Sequence, residues 1–506
     1  MPALRILLLA TSVVMSACTT LGPDYEEPRV GWVEDWEASL YGQVEQPAAD
    51  AEGQDLSFWW QSFEDPILNQ LIETARLENP GLRIAGLRIL ESQATLGIVQ
   101  SSRYPQLQQA SGSLARVDSW DTQGNDSGDR SDITAYDVGF NIGWELDFWG
   151  RFARGIESAD AAFFASVSNQ QNVQVLLSAQ VAQAYFAYRT TALQIAIAQE
   201  NAGLQLRSFE ITTKLYDSGQ AAELDLQQAN TQYLATLATI PALEIAQRQL
   251  SNTLAILLGR PPGAMPELEA VPATLPALSA TMIEDIPGRL LMRRPDIRTS
   301  AWQVAAQSAQ IGVAEADLYP SISLFGTIGW SGNSLDASND TLSTGIGPSF
   351  TWNLFNYGRI KNNVRAQDAR LQQAIENYQN TVLQAAREID NAAISVVKTL
   401  EQDAILQQSL AAAERSLELS SSRYQEGYSD FQRVLDAQRA LAVQSNNRAV
   451  TQGAHIDAVI AFYKALGGGW QQATIEQIVP ESLREKMQQR TDWGDLLTTP
   501  LPTSEP

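Results

Sequence analysis

The chain has 506 residues, with 58 Asp and Glu against 34 Lys and Arg and a net charge of −24. That balance excludes nucleic acid as a partner, because phosphate contacts need clustered cations. A hydrophobic share of 44% with only 18% charged residues also excludes a disordered acidic chain. One His and one Cys leave no metal cluster, no Ser-His-Asp triad and no Cys-His pair. No Gly-rich phosphate loop stands after a strand pattern, and among the acids nothing singles out a pair for glycoside hydrolysis. Neither an enzyme nor a bound cofactor is expected. His455, inside a helical pattern between Ala454 and Ile456, reads as structural.

Residues 1–17 carry Arg5, the apolar run Ile6–Val14 and the small pair Ser16-Ala17. This is a secretory signal, too short and wrongly flanked to span a membrane. Cys18 follows directly, in a setting that resembles a bacterial lipobox, although Met15 stands where Leu is usual. Cys18 is therefore the expected lipid attachment site. Thr19, in place of the Asp of inner-membrane retention, implies the outer membrane as the address. No later stretch has the roughly 18 uninterrupted apolar residues of a membrane helix, so any crossing must be made by strands.

Residues 18–65 form an extension, after which the chain repeats itself. Pro80 and Pro105 answer Pro295 and Pro320 at an offset of 215 positions. Gly150, Gly219 and Gly259 answer Gly358, Gly427 and Gly467 at an offset of 208. The change falls in one resized loop inside a tandem duplication, with a period too long for a solenoid. Repeat one, 66–258, reads as helix, strand pair, very long helix and return helix. A connector rich in proline covers 259–290, repeat two covers 291–470, and 471–506 is a closing segment whose part after about Pro480 is polar and expected to be loosely held.

Within repeat one, Pro66–Ser101 is expected to be helical and Gln106–Val117 a strand, the latter mainly by analogy with its duplicate. From Asp132 to Trp149 alternation is nearly complete. Tyr136, Val138, Phe140, Ile142, Trp144, Leu146 and Phe148 share one face, opposite Asp137, Gly139, Asn141, Gly143, Glu145 and Asp147. This is the period-two pattern of a strand with one lipid face and one wet face. Repeat two has it in Ile322, Leu324, Ile328 and Trp330, and in Ile346, Pro348, Phe350, Trp352 and Leu354. Tryptophans near strand ends suit an interfacial girdle; an ordinary soluble hairpin with one buried face would show the same alternation.

Four strands cannot close a barrel, since the smallest outer-membrane barrels have about 8, and open edges are not tolerated in lipid. Either the strands lie outside a membrane or several chains share one barrel, and three chains would supply twelve strands. Trp149 to Asp217, without proline, gives roughly 100 Å of helix at 1.5 Å per residue. Its duplicate is Gly358–Glu426. Gly219 and Gly427 end the two helices. Pro241 stands where the duplicate has Ala449, so a kink is expected in one copy only.

These segments resemble the outer membrane efflux protein family, the TolC-like channels, and within it the lipoprotein branch serving resistance-nodulation-division (RND) pumps. The carriers are Gly22-Pro23-Asp24-Tyr25, Phe58-Trp59-Trp60, Asp65-Pro66, Arg294-Pro295-Asp296-Ile297, Leu318-Tyr319-Pro320-Ser321, Leu435-Asp436-Ala437-Gln438 and Tyr463–Trp470. The resemblance implies a mixed α+β, predominantly α chain. It also implies a homotrimer with a twelve-stranded transmembrane β-barrel, continued by a long periplasmic α-helical barrel. Its function would be the passive exit duct of a tripartite efflux system, beside a periplasmic adaptor (membrane fusion) protein and an inner-membrane RND transporter. Alternatives are the channel of a type I protein exporter and a lipid-anchored coiled-coil scaffold without a pore.

Carried over by motif, Asp436 matches an acidic ring at the periplasmic aperture. Arg433 stands where some relatives have a second acid, with Gln432 before it. Tyr424 matches a residue that ties helical tips together, and the turns at Gly219 and Gly427 are the expected adaptor contacts. Asp137, Glu145 and Asp147 are expected to make the barrel lumen negative.

Overall fold

The structure is a computed structural model that describes residues 20–33, 56–120, 130–269, 274–276, 289–333 and 340–501. The signal segment, Cys18 and parts of the connector lie outside the described residues. The first copy comprises α1 (Pro66–Glu78), α2 (Pro80–Gln100), β1 (Leu107–Trp120), β2 (Arg130–Leu146), α3 (Arg151–Asp217), α4 (Glu223–Leu237) and α5 (Ile240–Leu257). The second comprises α6 (Pro295–Ala316), β3 (Ser321–Gly332), β4 (Thr341–Thr351), α7 (Arg359–Gln425) and α8 (Phe431–Ala465), followed by α9 (Glu481–Arg490).

The single helix expected over Pro66–Ser101 is two helices. Pro80 disfavours a helical residue before it, and Asn79 accordingly adopts ψ 122° and caps α2 by accepting from Leu82 N–H at 3.0 Å. Both long helices have 67 residues. Each begins after a left-handed glycine, Gly150 at φ 72° and Gly358 at φ 83°, and ends at another, Gly219 at φ 73° and Gly427 at φ 77°. At the first end Gln220 N–H donates to Leu215 O and Gly219 N–H to Tyr216 O. At the second, Tyr428 N–H donates to Arg423 O and Gly427 N–H to Tyr424 O, the same paired closure. Pro241 breaks the first return path into α4 and α5, whereas α8 runs unbroken for 35 residues.

The helices lie side by side in one layer. Near the sheet the neighbours run α2, α3, α6, α7, and towards the far end they run α4 with α5, α3, α8, α7. The core sits between these tiers. Leu68, Leu71, Ile72 and Ala75 on one face of α1, together with Trp59, Trp60 and Phe63, pack against Tyr185 and Phe186 of α3, Tyr378 and Val382 of α7, and Phe462 and Tyr463 of α8. Trp59 stacks on Tyr463 with ring centroids 5.3 Å apart.

Two buried arginines fasten this girdle. Arg189 donates to the Asp65 carboxylate, whose other contacts are Tyr185 Oη at 2.9 Å and the first N–H groups of α1. Arg294 donates to Ala465 O at 2.7 Å and pairs with Asp296 and Glu388 at 2.7 and 2.9 Å, tying the end of α8 to α6 and α7. The closing segment is not loose as expected. Met487 and Leu497 are buried against Ile89 and Leu90 of α2 and Phe163 and Val167 of α3, because its few apolar residues meet an apolar stripe that those helices leave uncovered.

Candidate functional site

The strands form one antiparallel sheet in the order β1-β2-β3-β4, and the β2–β3 pair joins the two copies. Register aligns the alternation of β2, β3 and β4, whereas β1 sets Gln108, Gly112 and Arg116 beside their apolar face. Val138 faces Trp330 and Leu342, Phe140 faces Ile328, Ile142 faces Gly326 and Ile346, and Trp144 faces Leu324 and Pro348. Across these three strands the even-numbered face is therefore a continuous apolar surface, exposed in the single chain: Val138 is 60% exposed, Ile346 92% and Phe350 71%. The odd-numbered face carries Asp137, Asn141, Glu145, Thr327 and a set of glycines. From Tyr136 to Leu146 the apolar alternation covers 11 residues, the length that crosses a bilayer when tilted. The charged pair Arg116–Asp132 stands beyond it, towards the hairpin tip.

Asp137 and Glu145 lie on the polar face as expected, but Asp147 does not. β2 ends at Leu146, and the Asp147 carboxylate accepts from Phe152 N–H at 3.1 Å and Ala153 N–H at 2.8 Å. It satisfies the free N–H groups that open α3, where a negative charge is favoured by the helix dipole. Trp352 and Leu354 likewise fall past the end of β4. Trp149 Nε1–H and Trp352 Nε1–H donate to Pro320 O and Leu318 O, at 2.8 and 3.0 Å, just outside the strands.

At the opposite end of the molecule α8 divides its residues between two sides. Phe431, Val434, Leu435, Ala437 and Gln438 are buried, while Gln432, Arg433, Asp436 and Arg439 are exposed. Gln432 Nε2–H donates to Asp436 Oδ1 at 3.0 Å. The cation beside Asp436 is Arg439, one turn on, at 3.6 Å, and not Arg433, whose N–H faces the capping Asp430 at 3.4 Å. Arg439 Nε–H also donates to Gln232 Oε1 of α4 at 2.9 Å, joining the two return helices. Arg439 and Gln232 escaped the sequence reading. The spacing of Asp436 and Arg439 was the available signal for the first, and nothing local marks the second.

Tyr424 packs inside its own chain. Its ring meets Phe431 at 5.3 Å and its hydroxyl lies beside Thr212 of α3. Burial, with Asp225 adding to it, holds this phenol above its ordinary pKa. Gly219 and Gly427 cap open turns: a Cβ on either would meet nothing, so only their backbone conformation requires glycine. On the side of α8 away from Asp436, a groove of about 670 Å³ opens between α3 and α7, floored by Phe431, Val434, Gln438 and Leu441. Nothing among the described residues gathers His, Cys and acidic side chains as a metal would need, and none of their helices is apolar enough to cross a membrane.

A sheet with one apolar and one polar face is set on two helices of 67 residues, an arrangement that suits a membrane channel. The profile of the outer membrane efflux protein family matches residues 71–260 and 286–468, and the chain belongs to that family. It is 30% identical over 477 residues to the cation efflux system protein CusC of Escherichia coli O6:H1, covering 92% of this chain and 99% of that protein. It is 30% identical over 479 residues to the probable outer membrane lipoprotein SilC of Salmonella typhimurium, covering 92% and 99%. Among solved structures, the outer-membrane channel OprN superposes with a TM-score of 0.76 at 31% identity, over 89% of this chain and 99% of that one. The chain is an efflux channel protein of the Gram-negative outer membrane.

Proposed function

We propose that three copies of this chain close into one passive exit duct, in which twelve strands form a barrel in the outer membrane and the helices form a tunnel below it. The observation that carries this reading is that both layers end in open edges on the same two sides. β1, α2 and the α4–α5 pair form one edge, and β4 and α7 form the other. The first edge exposes Ile98, Ile245 and Ile256 at 72%, 60% and 62%; the second exposes Leu383 and Ile405 at 53% and 67%. Two unlike edges associate head to tail and close into a ring when the rotation permits. Closure also removes the strand edges that lipid does not tolerate.

In such a ring the even face meets lipid and Asp137 and Glu145 line the lumen. Three copies of Asp436 surround the axis at the far aperture, where mutual repulsion, relieved in part by Arg439, favours an openable closure. Cys18 carries the lipid anchor. The turns at Gly219 and Gly427, beside exposed Leu224 and Tyr428 (65% and 81%), and the groove above them receive a periplasmic adaptor. An inner-membrane RND transporter supplies the energy, and repeats 66–258 and 291–470 act as the two halves of each subunit's wall. The mass of the solubilised full-length protein tests the ring: three chains are expected, and a folded single chain that persists as the concentration is raised overturns it.

A further inference from the structure

One aromatic contact is made once in the chain although the duplication supplies the rings for two. Trp149, between β2 and α3, stacks on Tyr319, just before β3, with ring centroids 4.7 Å apart and planes 27° from parallel. The stack lies beside the β2–β3 pair, where the first copy meets the second. Its equivalents are Tyr357, 208 positions after Trp149, and Tyr104, 215 positions before Tyr319, so both rings recur as rings. They stand at opposite edges of the subunit, Tyr357 after β4 and Tyr104 before β1. Tyr357 is fully exposed and Tyr104 is 70% exposed, whereas Trp149 is half-buried and Tyr319 39% exposed.

The strands stop short at the same edge. Trp144, Glu145 and Leu146 belong to β2 through β3 alone, facing Leu324, Ser323 and Ile322. Their equivalents, Trp352, Asn353 and Leu354, lie past the end of β4, which has no further strand beside it among the described residues. Exposed aromatics beside strands also suit a lipid interface, but lipid does not account for two separated rings whose duplicates are stacked. We propose that Tyr357 of one copy stacks on Tyr104 of the next, with Trp352–Leu354 extending β4 along β1 of that copy. Each junction between chains then repeats the junction inside them. The inference rests on the reading that three copies close into a ring, and it adds which residues meet.

Cysteine pairs read the contact in the full-length protein, whose only native cysteine, Cys18, is the expected lipid attachment site and would have its thiol blocked. The shortest bifunctional thiol reagent that joins Trp149→Cys to Tyr319→Cys within one chain sets the reach. Applied to Tyr104→Cys combined with Tyr357→Cys, it is expected to give two- and three-chain bands on a denaturing gel. Neither the wild type nor either single substitution should give them, because unlike edges meet. Independently, Tyr357→Ala should lower the temperature at which the solubilised trimer dissociates, and Tyr357→Phe, which keeps the ring, should not. A protein of three-chain mass in which the pair gives no cross-linked bands, or a single substitution gives the same ones, would overturn the stack and leave the ring standing. So would equal dissociation temperatures for Tyr357→Ala and the wild type. A mass of one chain would overturn both.

Discussion

The waist and the tip of the same helices are held by different chemistry. At the waist Arg189 and Arg294 are 5% and 6% exposed; Arg189 bonds the Asp65 carboxylate and Thr274 O, and Arg294 bonds the carboxylates of Asp296 and Glu388 and Ala465 O. At the tip Asp436 and Arg439 have side chains 62% and 52% exposed, and their contacts are one hydrogen bond each and a 3.6 Å ion pair. Breaking a buried pair costs about 3–5 kcal/mol, while an exposed pair contributes roughly 0–1 kcal/mol. The charged ties are thus buried at mid-length and exposed at the tip, where the buried contacts are the apolar ones of Phe431, Val434 and Leu435.

That contrast breaks most readily at Arg189. Arg189→Ala leaves Asp65 buried without its cation and is expected to lower unfolding stability by about 3–5 kcal/mol, read as a shift in the thermal midpoint. A melt as high as that of the wild type would mean that this buried pair does not hold the waist. Gly312→Ala follows. A Cβ there would stand 2.4 Å from Leu21 O and 2.8 Å from Arg154 Cγ, which overpacks the seat of the N-terminal segment by about 1–3 kcal/mol. The segment is also held by Arg154, which donates to Leu21 O and Gly22 O and pairs with Asp24. Tryptic cleavage after Arg29 should appear in the variant before the body unfolds. Gly427→Ala, in open space, should cost only the left-handed backbone, about 1–2 kcal/mol.

A smaller effect is expected at high pH. Burial pushes Tyr185 and Tyr378 at the waist well above the usual phenol range, with Asp65 and Glu27 adding to it, and Tyr25 rises to about 12. Unfolded tyrosine ionises near 10, so above that pH the folded state binds more protons than the unfolded one. Stability is therefore fully present below about pH 10 and falls as the pH rises towards the folded values. Tyr378→Phe should flatten that decline in an alkaline denaturation series. The smallest change is expected for Asp436→Ala, within about 0.5 kcal/mol, because its partners stay solvated.

The duplication made most of this fold legible. Gly150, Gly219, Gly358 and Gly427 mark helix ends that occur where the offset of 208 places them, and Pro241 marked the one broken return helix. Alternation in β2 made the two-faced sheet readable and its register settled the weakly patterned β1, as pairing with a strong strand can. What was not legible came from long-range contact. Asp147 looked like a further strand residue until the geometry of α3 claimed its carboxylate. The closing segment looked loose because a polar sequence does not reveal that Met487 and Leu497 find an uncovered apolar stripe. Arg439 pairs with Asp436 at a spacing any helix would allow, but its bond to Gln232 crosses 207 positions of chain.

Single-channel conductance of the purified full-length protein in a planar bilayer, wild type beside Asp436→Ala, tests the duct and its closure together. The wild type should open rarely and to small currents, and the variant should open more often or further at unchanged thermal stability. A correctly folded protein that conducts no current in either form would contradict the account.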